Sequence, residues 1–415
     1  MHHATRCHRP LGGLAGVVWA CAAAALPAAA QTVYDAAAVP TAGGVVTFGL
    51  RSDHHADPVS LALMGHGHWN SRDWAQVAPR RGDNLARIDD EARLGWRQHG
   101  GAWHGWQLAL LARSQATLVA SHDALALAAQ LARGEPQAAD AHWNTRVRLR
   151  AFSGAGLAVG REQALTGLPL PGRWQAAWEM QGLVLGSWRE RHIAGPVHLD
   201  ASSQRYDFAL GSSEAYNRLR LPFQQPAARR GAGLLLAAQL DWQGEGPGRS
   251  QPGQPGDWAP WARLSLRDGG WLRWRGMPQQ QATLDTATAS TDADGFLVYE
   301  PLIQGQNRQT TLTRWMPWRA SLAGGVTWAD GQRWGVRLDS EPGWGVLPAF
   351  TWQWPAAAAQ ATGWAGLGWQ AEWRVHERRL GLGLDWRGLS LRLGADRLGS
   401  GARSREWALA WRQGF

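Results

Sequence analysis

The chain ends in Arg405-Glu-Trp-Ala-Leu-Ala-Trp-Arg-Gln-Gly-Phe415, and the reading of this stretch decides the fold. Trp407, Leu409, Trp411 and Phe415 alternate with Glu406, Ala408, Ala410, Arg412 and Gly414, and only Gln413 interrupts the apolar series. A period of two sends successive side chains to opposite sides of a sheet, so the segment reads as a strand with one apolar and one polar face. The pattern recurs upstream. Leu389, Leu391, Leu393 and Ala395 oppose Ser390, Arg392, Gly394 and Asp396, and Leu380, Leu382, Leu384 and Trp386 oppose Gly381, Gly383, Asp385 and Arg387. Leu367, Trp369, Ala371 and Trp373 alternate with Gly368, Gln370, Glu372 and Arg374, and Trp334, Val336 and Leu338 with Arg333, Gly335, Arg337 and Asp339. Earlier, Val147 and Leu149 alternate with Arg146, Arg148 and Arg150.

Outward from these strands, residues 1–30 read as a secretory signal. Arg6 and Arg9 precede an apolar run from Leu11 to Leu26, and Pro27-Ala-Ala-Ala30 offers a small-residue cleavage site. Both cysteines, Cys7 and Cys21, leave with it, so disulfide and thiolate chemistry are excluded from the remainder. Every one of the 42 basic residues is arginine, against 33 acids, and 28 Trp stand beside 51 Gly. The arginines are spread from end to end rather than clustered, which excludes nucleic acid as a partner. No remaining stretch reaches the ~18–20 apolar residues of a spanning helix. An exported chain of this kind is periplasmic, secreted, or inserted as a β-barrel.

Trp near strand ends with Leu and Val between, and runs of about 9–11 residues, are features of strands that cross a bilayer at a tilt. On these strands, and above all on the last one ending at Phe415, the chain resembles the bacterial outer-membrane β-barrel (porin-like) class. The resemblance implies an all-β fold, a single transmembrane antiparallel barrel over residues 44–415 with about 16 strands, 14 to 18 allowed. Residues 31–43 are then an N-terminal periplasmic segment. It also implies the outer membrane of a Gram-negative bacterium, lipid as a partner, and a barrel-assembly machinery that reads Trp407, Leu409, Trp411 and Phe415. Arg387-Gly388 and Asp268-Gly-Gly270 read as hairpin turns. Gly244 to Trp258 and Pro278 to Gly295 read as flexible loops on the long-loop side. His122 to Arg133 reads as a short helix in a loop or plug, with Ser121 as N-cap and Gly134 as C-cap.

In a closed barrel the face away from lipid lines the lumen. Arg146, Arg148, Arg150, Arg333, Arg337, Arg374, Arg392 and Arg412, with Glu372, Asp385 and Asp396 interspersed, fall on that face. Arg93, Arg97, Arg218, Arg220, Arg273 and Arg275 are assigned to it as well. A positive lumen favours an anionic solute or polysaccharide, so the first reading is an outer-membrane channel or export conduit. A second is a lipid-modifying hydrolase using His66 or His68, which with Asn70 share one strand face. A third is a structural barrel whose charges merely satisfy one another. No phosphate-cradling or nucleophile-elbow motif occurs, and no cofactor or metal is called for. His54-His55 beside Asp53, Asp57 and Pro58 reads as a solvated turn rather than a metal site. Asp292-Ala-Asp-Gly295 lacks the third acid of a calcium loop and reads as a turn.

Overall fold

The computed structural model describes residues 43–65, 69–167, 171–222, 228–245, 258–286, 289–291, 297–299, 303–354 and 367–415. The signal 1–30, the segment 31–43 up to residue 42, the candidates His66 and His68, and the Asp292–Gly295 turn lie outside the described residues.

Eighteen strands account for most of the described chain. β1 (Gly43–Ala56), β2 (Asp83–His99), β3 (Trp106–Ser121), β4 (Ala141–Leu165) and β5 (Arg173–Asp200) run up and down in chain order. β6 (Arg205–Tyr216) and β7 (Gly231–Gln243) lead to β8 (Trp258–Asp285), beyond which β9 (Ala289–Thr291) and β10 (Leu297–Tyr299) form a separate ribbon. β11 (Ile303–Met316), β12 (Arg319–Trp328), β13 (Arg333–Glu341), β14 (Gly345–Trp354), β15 (Leu367–Arg374), β16 (Arg379–Trp386), β17 (Leu389–Ala395) and β18 (Ser404–Gly414) complete the wall. Three helices interrupt it: α1 (Leu61–Met64), α2 (Ser71–Ala75) and α3 (His122–Arg133).

The sheet closes on itself. β18 pairs antiparallel with β1 from Val45↔Gly414 to His55↔Ser404, and Gly44 and Phe415 exchange backbone hydrogen bonds of 3.1 and 3.0 Å. The closed ring has fourteen lanes, at the low end of the expected range, because four strands share two of them. β7 pairs with the first half of β5 and β6 with its second half, so β6 and β7 are one crossing of the wall. β12 and β11 divide β8 in the same way.

Its faces invert those of a soluble protein. Leu110 is 57% exposed, Leu382 58% and Leu393 56% on the outer face, whereas Arg379 and Asp53 on the inner face are each 1% exposed. An apolar band this extensive is stable only against an apolar solvent. Trp rings bound it. Near the end holding the termini, Trp334 stacks on Trp352, 5.0 Å between centroids, and Trp352 meets Trp369 at 4.3 Å. Toward the other end, Trp271 meets Trp315 at 4.7 Å and Phe350 stacks on Trp373 at 5.8 Å. On β2 to β5 the band ends in one cross-strand row, Asp90, Ser114, Ser153 and Ser187.

Arg387-Gly388 is the hairpin turn between β16 and β17, both residues with positive φ. Asp268-Gly-Gly270 is not a turn. It is a bulge inside β8, where Asp268 takes φ 68° and Gly270 φ 156°. A Cβ on Gly270 would stand 2.0 Å from the Leu234 carbonyl oxygen, so glycine is required there. The bulge reverses which residues face inward. Arg263 and Asp268 point into the lumen below it, but Leu272 and Trp274 do so above it, which turns Arg273 and Arg275 outward, against the sequence expectation. Arg218 and Arg220 follow the end of β6 and belong to no wall strand. Pro278 to Asp285, read as loop, continues β8, and Gly244 begins a connection at the end holding the termini.

α3 forms with the expected caps. Ser121 accepts a hydrogen bond from the Ala124 amide and Gly134 adopts the left-handed conformation. It stays out of the lumen. Leu125 and Ala129 pack with Trp74 of α2 and with Ile88, Ala116 and Val147, residues on the outer face above the polar row. The helices therefore cover the outside of the wall.

The two flanks differ in height. β4, β5 and β8 have 25, 28 and 28 residues, whereas β15, β16 and β17 have 8, 8 and 7. At the end away from the termini, the far rim, a tall wall therefore stands opposite a low one.

Candidate functional site

Inward-facing residues meet across the lumen. Around the ring β2 and β12 are six lanes apart, nearly opposite, yet Arg319 of β12 reaches Asp89 of β2 at 3.4 Å and Thr117 of β3 at 3.1 Å. Arg267 of β8 also reaches Asp89, at 3.3 Å, and Arg113 of β3 pairs with the bulge residue Asp268 at 2.7 Å. Arg319 is held further by Glu341 at 2.7 Å, and Arg87 of β2 by Asp53 and Glu377, each at 2.8 Å. A round wall of this many strands, ~4.8 Å apart and tilted about 40°, would be roughly 28 Å across. One arginine and one aspartate do not span that, so the ring is pressed flat. The result is a septum of ion pairs at mid-height. Leu85, Val119 and Leu347 add an apolar contact between the same walls. On the tall side Phe152, Leu185, Trp188, Leu235, Leu272, Trp274 and Met277 fill the interior.

The residues singled out from the sequence fall at three levels. Glu372 is buried between Arg337, Arg374 and Arg392, at 2.8, 2.7 and 2.6 Å. Arg374 also reaches Asp53, joining this group to the septum. Arg333 lies over the Trp261 ring, 3.9 Å from its centroid, and Asp385 accepts a hydrogen bond from Ser390. Asp396 lies in the turn after β17 and accepts from the Arg403 and Ser404 amides at 2.9 Å each, which makes it a turn former. Arg412 shares the inner face with Glu406, which Arg379 holds at 2.9 Å. Trp407, Leu409, Trp411 and Phe415 lie on the outer face, with Phe415 70% exposed.

Above the septum, Arg146, Arg148 and Arg150 face inward on the tall wall. They continue across neighbouring strands as rows. Arg148 leads to His192, Ser213, Gln281 and Gln306; Arg146 leads to Ala194, Gly211, Thr283 and Gln304. Arg150 leads to Glu190, Ala215, Gln279 and Arg308. The small residues Ala194 and Gly211 leave a recess of about 530 Å³ over this ladder. Hydroxyl, amide and imidazole groups line it, with guanidinium groups on both sides. Arg146 and Arg148 are exposed to the lumen, and Arg146 pairs with Asp83 at 2.8 Å.

A third group sits under the low rim. His55 and Asp57 are fully buried, contrary to the expected solvated turn, because β1 continues through Ala56 and carries them inward. Asp57 Oδ1 lies 3.1 Å from His55 Nε2, 3.0 Å from His376 Nε2 and 2.6 Å from Arg80 Nη1, and Oδ2 accepts from the Leu85 amide at 2.8 Å. Burial alone would raise the Asp57 carboxyl, but hydrogen bonds from His376 and His55 outweigh it and hold the group well below the usual carboxylate range. Sequence reading missed His376 and Arg80, since both lie in connections, where no period marks them. Arg87 and Asp89, also missed, do alternate with Ile88 and Asp90 along β2 in phase with Arg93, which the sequence reading assigns to the lumen, so the signal for them was available.

No protein-family model matches the chain, and no curated protein does. Among solved structures it is similar to the CymD monoaromatic hydrocarbon channel at 10% identity and a TM-score of 0.28, covering 90% of this chain and 89% of that one. It is similar to the Ralstonia pickettii toluene transporter TbuX at 8% identity and a TM-score of 0.26, covering 90% of each chain. A likeness of this size carries no inference about solute. The closed wall, the apolar outer band and its Trp girdles define this chain as a β-barrel of the outer-membrane class.

Proposed function

We propose that the chain is an outer-membrane channel or export conduit of a Gram-negative bacterium, passing anionic, hydrogen-bonding solutes or polymers such as an acidic polysaccharide. The ladder above the septum carries this reading. Arg148 stands between Arg146 and Arg150, which pair with Asp83 at 2.8 Å and Glu190 at 3.6 Å, and Ser213, Gln281, Thr283, Gln304 and Gln306 supply donors and acceptors on the same inner surface. The septum below is polar, which matters for energetics. An interior that only had to be filled gains more from packed apolar groups than from buried ion pairs. Charge pairs, unlike an apolar core, can exchange partners with a charged solute. In this reading the septum is the closed state and its parting opens the lumen. The three longest connections, 57–82, 122–140 and 286–302, leave the far rim, which supports that rim as the outer one.

Purified protein in planar bilayers should open in discrete steps with anions favoured over cations, and the combined change Arg146→Gln, Arg148→Gln and Arg150→Gln should bring that preference close to one. Silence at every voltage, in both proteins, would leave a sealed structural barrel as the reading.

A further inference from the structure

We propose that His55, Asp57 and His376 form a binding site for a divalent transition-metal ion, with Zn²⁺ the best match, which ties the β1–β2 connection to the β15–β16 turn at the low rim. Their ligand atoms all lie within 4.8 Å of one another, the one such group of His, Cys, Asp or Glu among the described residues. Two imidazoles and a carboxylate are the donors that Zn²⁺ takes when three protein ligands leave a fourth position to water. The spacing fits. Bonds of ~2.0–2.1 Å in a tetrahedron place ligand atoms about 3.3 Å apart, and the two imidazole Nε2 atoms stand 3.1 and 3.0 Å from Asp57 Oδ1.

His55 offers a second observation. Its ring is fully buried, its Nδ1 has no partner, and its one polar contact points into this group. An imidazole held that way is oriented for whatever occupies the centre. Arg80 occupies it electrostatically, 2.6 Å from Asp57 Oδ1 and 3.4 Å from His376 Nε2. The Arg80 side chain is one-third exposed, while those of Asp57 and His55 are at 0%. A metal ion entering from the His376 side, which is 20% exposed, displaces the guanidinium toward solvent. One cation replaces another, so the buried carboxylate is never left uncompensated. Each imidazole binds the ion as the neutral ring through Nε2, with its remaining proton on Nδ1.

The consequence lies in what the residues join. His55 and Asp57 belong to β1 and its continuation, His376 to the turn between β15 and β16, and Trp344 covers His376 at 4.4 Å from the β13–β14 turn. A bound ion therefore cross-links two connections of the low rim, with Trp344 of a third packed against one of its ligands.

The test is Zn²⁺ binding to the full chain in detergent after chelator treatment, by equilibrium dialysis with metal analysis and by the visible spectrum of a Co²⁺ substitute. One ion per chain with tetrahedral Co²⁺ bands is expected, lost in His55→Ala and His376→Ala and kept in His54→Ala, whose ring faces outward to Asp90. Heat-modifiable gel mobility reports folding of each variant. Arg80→Gln, which keeps the three ligands and removes the competitor, should tighten binding at least tenfold. Binding that survives the paired His55→Ala and His376→Ala change, no binding to the parent chain, or no tightening in Arg80→Gln overturns the site and leaves a hydrogen-bonded hub around Asp57.

Discussion

Arg319 illustrates how one side chain joins opposite walls of the lumen. Its guanidinium holds Asp89, Glu341 and Thr117, which come from both walls, and it is buried at 5% exposure. Removing one member of a buried pair strands the charges left behind, at a cost of about 3–5 kcal/mol. Arg319→Leu should therefore lower the temperature at which the barrel loses its heat-modifiable mobility and, in bilayers, raise the fraction of time spent open. The two readouts separate a gate from a brace: lowered stability with unchanged conductance would assign the residue to the wall alone. Sequence alone could not single it out. Arg319 opens β12 directly after the Trp318 break, and alternation gives its face but not its partners six lanes away.

At the level of elements, legibility tracked the number of solvents each strand meets. β13, β16 and β18 each have one lipid face and one polar face, so period two located them to within a few residues. β8 did not read as one strand, because its central bulge reverses the alternation and its Asp-Gly-Gly looks like a turn. The pairing of β6 with β7 in one lane, and of β11 with β12, is set by tertiary register and leaves no mark in the period. β18 carries the sharpest expectation for an element. Its eleven pairs with β1 close the wall, and an unpaired strand edge in hydrocarbon costs several kcal/mol for each backbone group. Deletion of residues 405–415 should abolish insertion, and Phe415→Ala should slow assembly while leaving a barrel already folded unaffected. Heat-modifiable mobility of membrane fractions over time checks both; a folded, embedded band from the truncated chain would contradict closure by β18.

For the whole molecule, the outer band makes lipid part of the fold. Leu382 lies in that band on β16, while Leu398, 96% exposed, lies in the turn after β17 beyond it. Arginine at mid-band costs about 2–4 kcal/mol and near the interface about 0–1. Leu382→Arg should thus reduce folding into vesicles by tenfold or more at intermediate denaturant, with Leu398→Arg close to the parent; equal behaviour of the two would place the membrane elsewhere on the wall. The unequal flanks bear on traffic outside the barrel. Strands of 25 to 28 residues on one side and 7 to 8 on the other make the mouth open obliquely, with a screen along one half of its perimeter and a sill along the other. On the proposed reading, with this rim outermost, molecules approaching from behind the screen are deflected, and those crossing the sill run straight onto the arginine ladder that the screen presents. If the chain passes solute as proposed, capture is tied to one compass bearing around the barrel axis, and any neighbouring protein that delivers or receives cargo has to stand on that side.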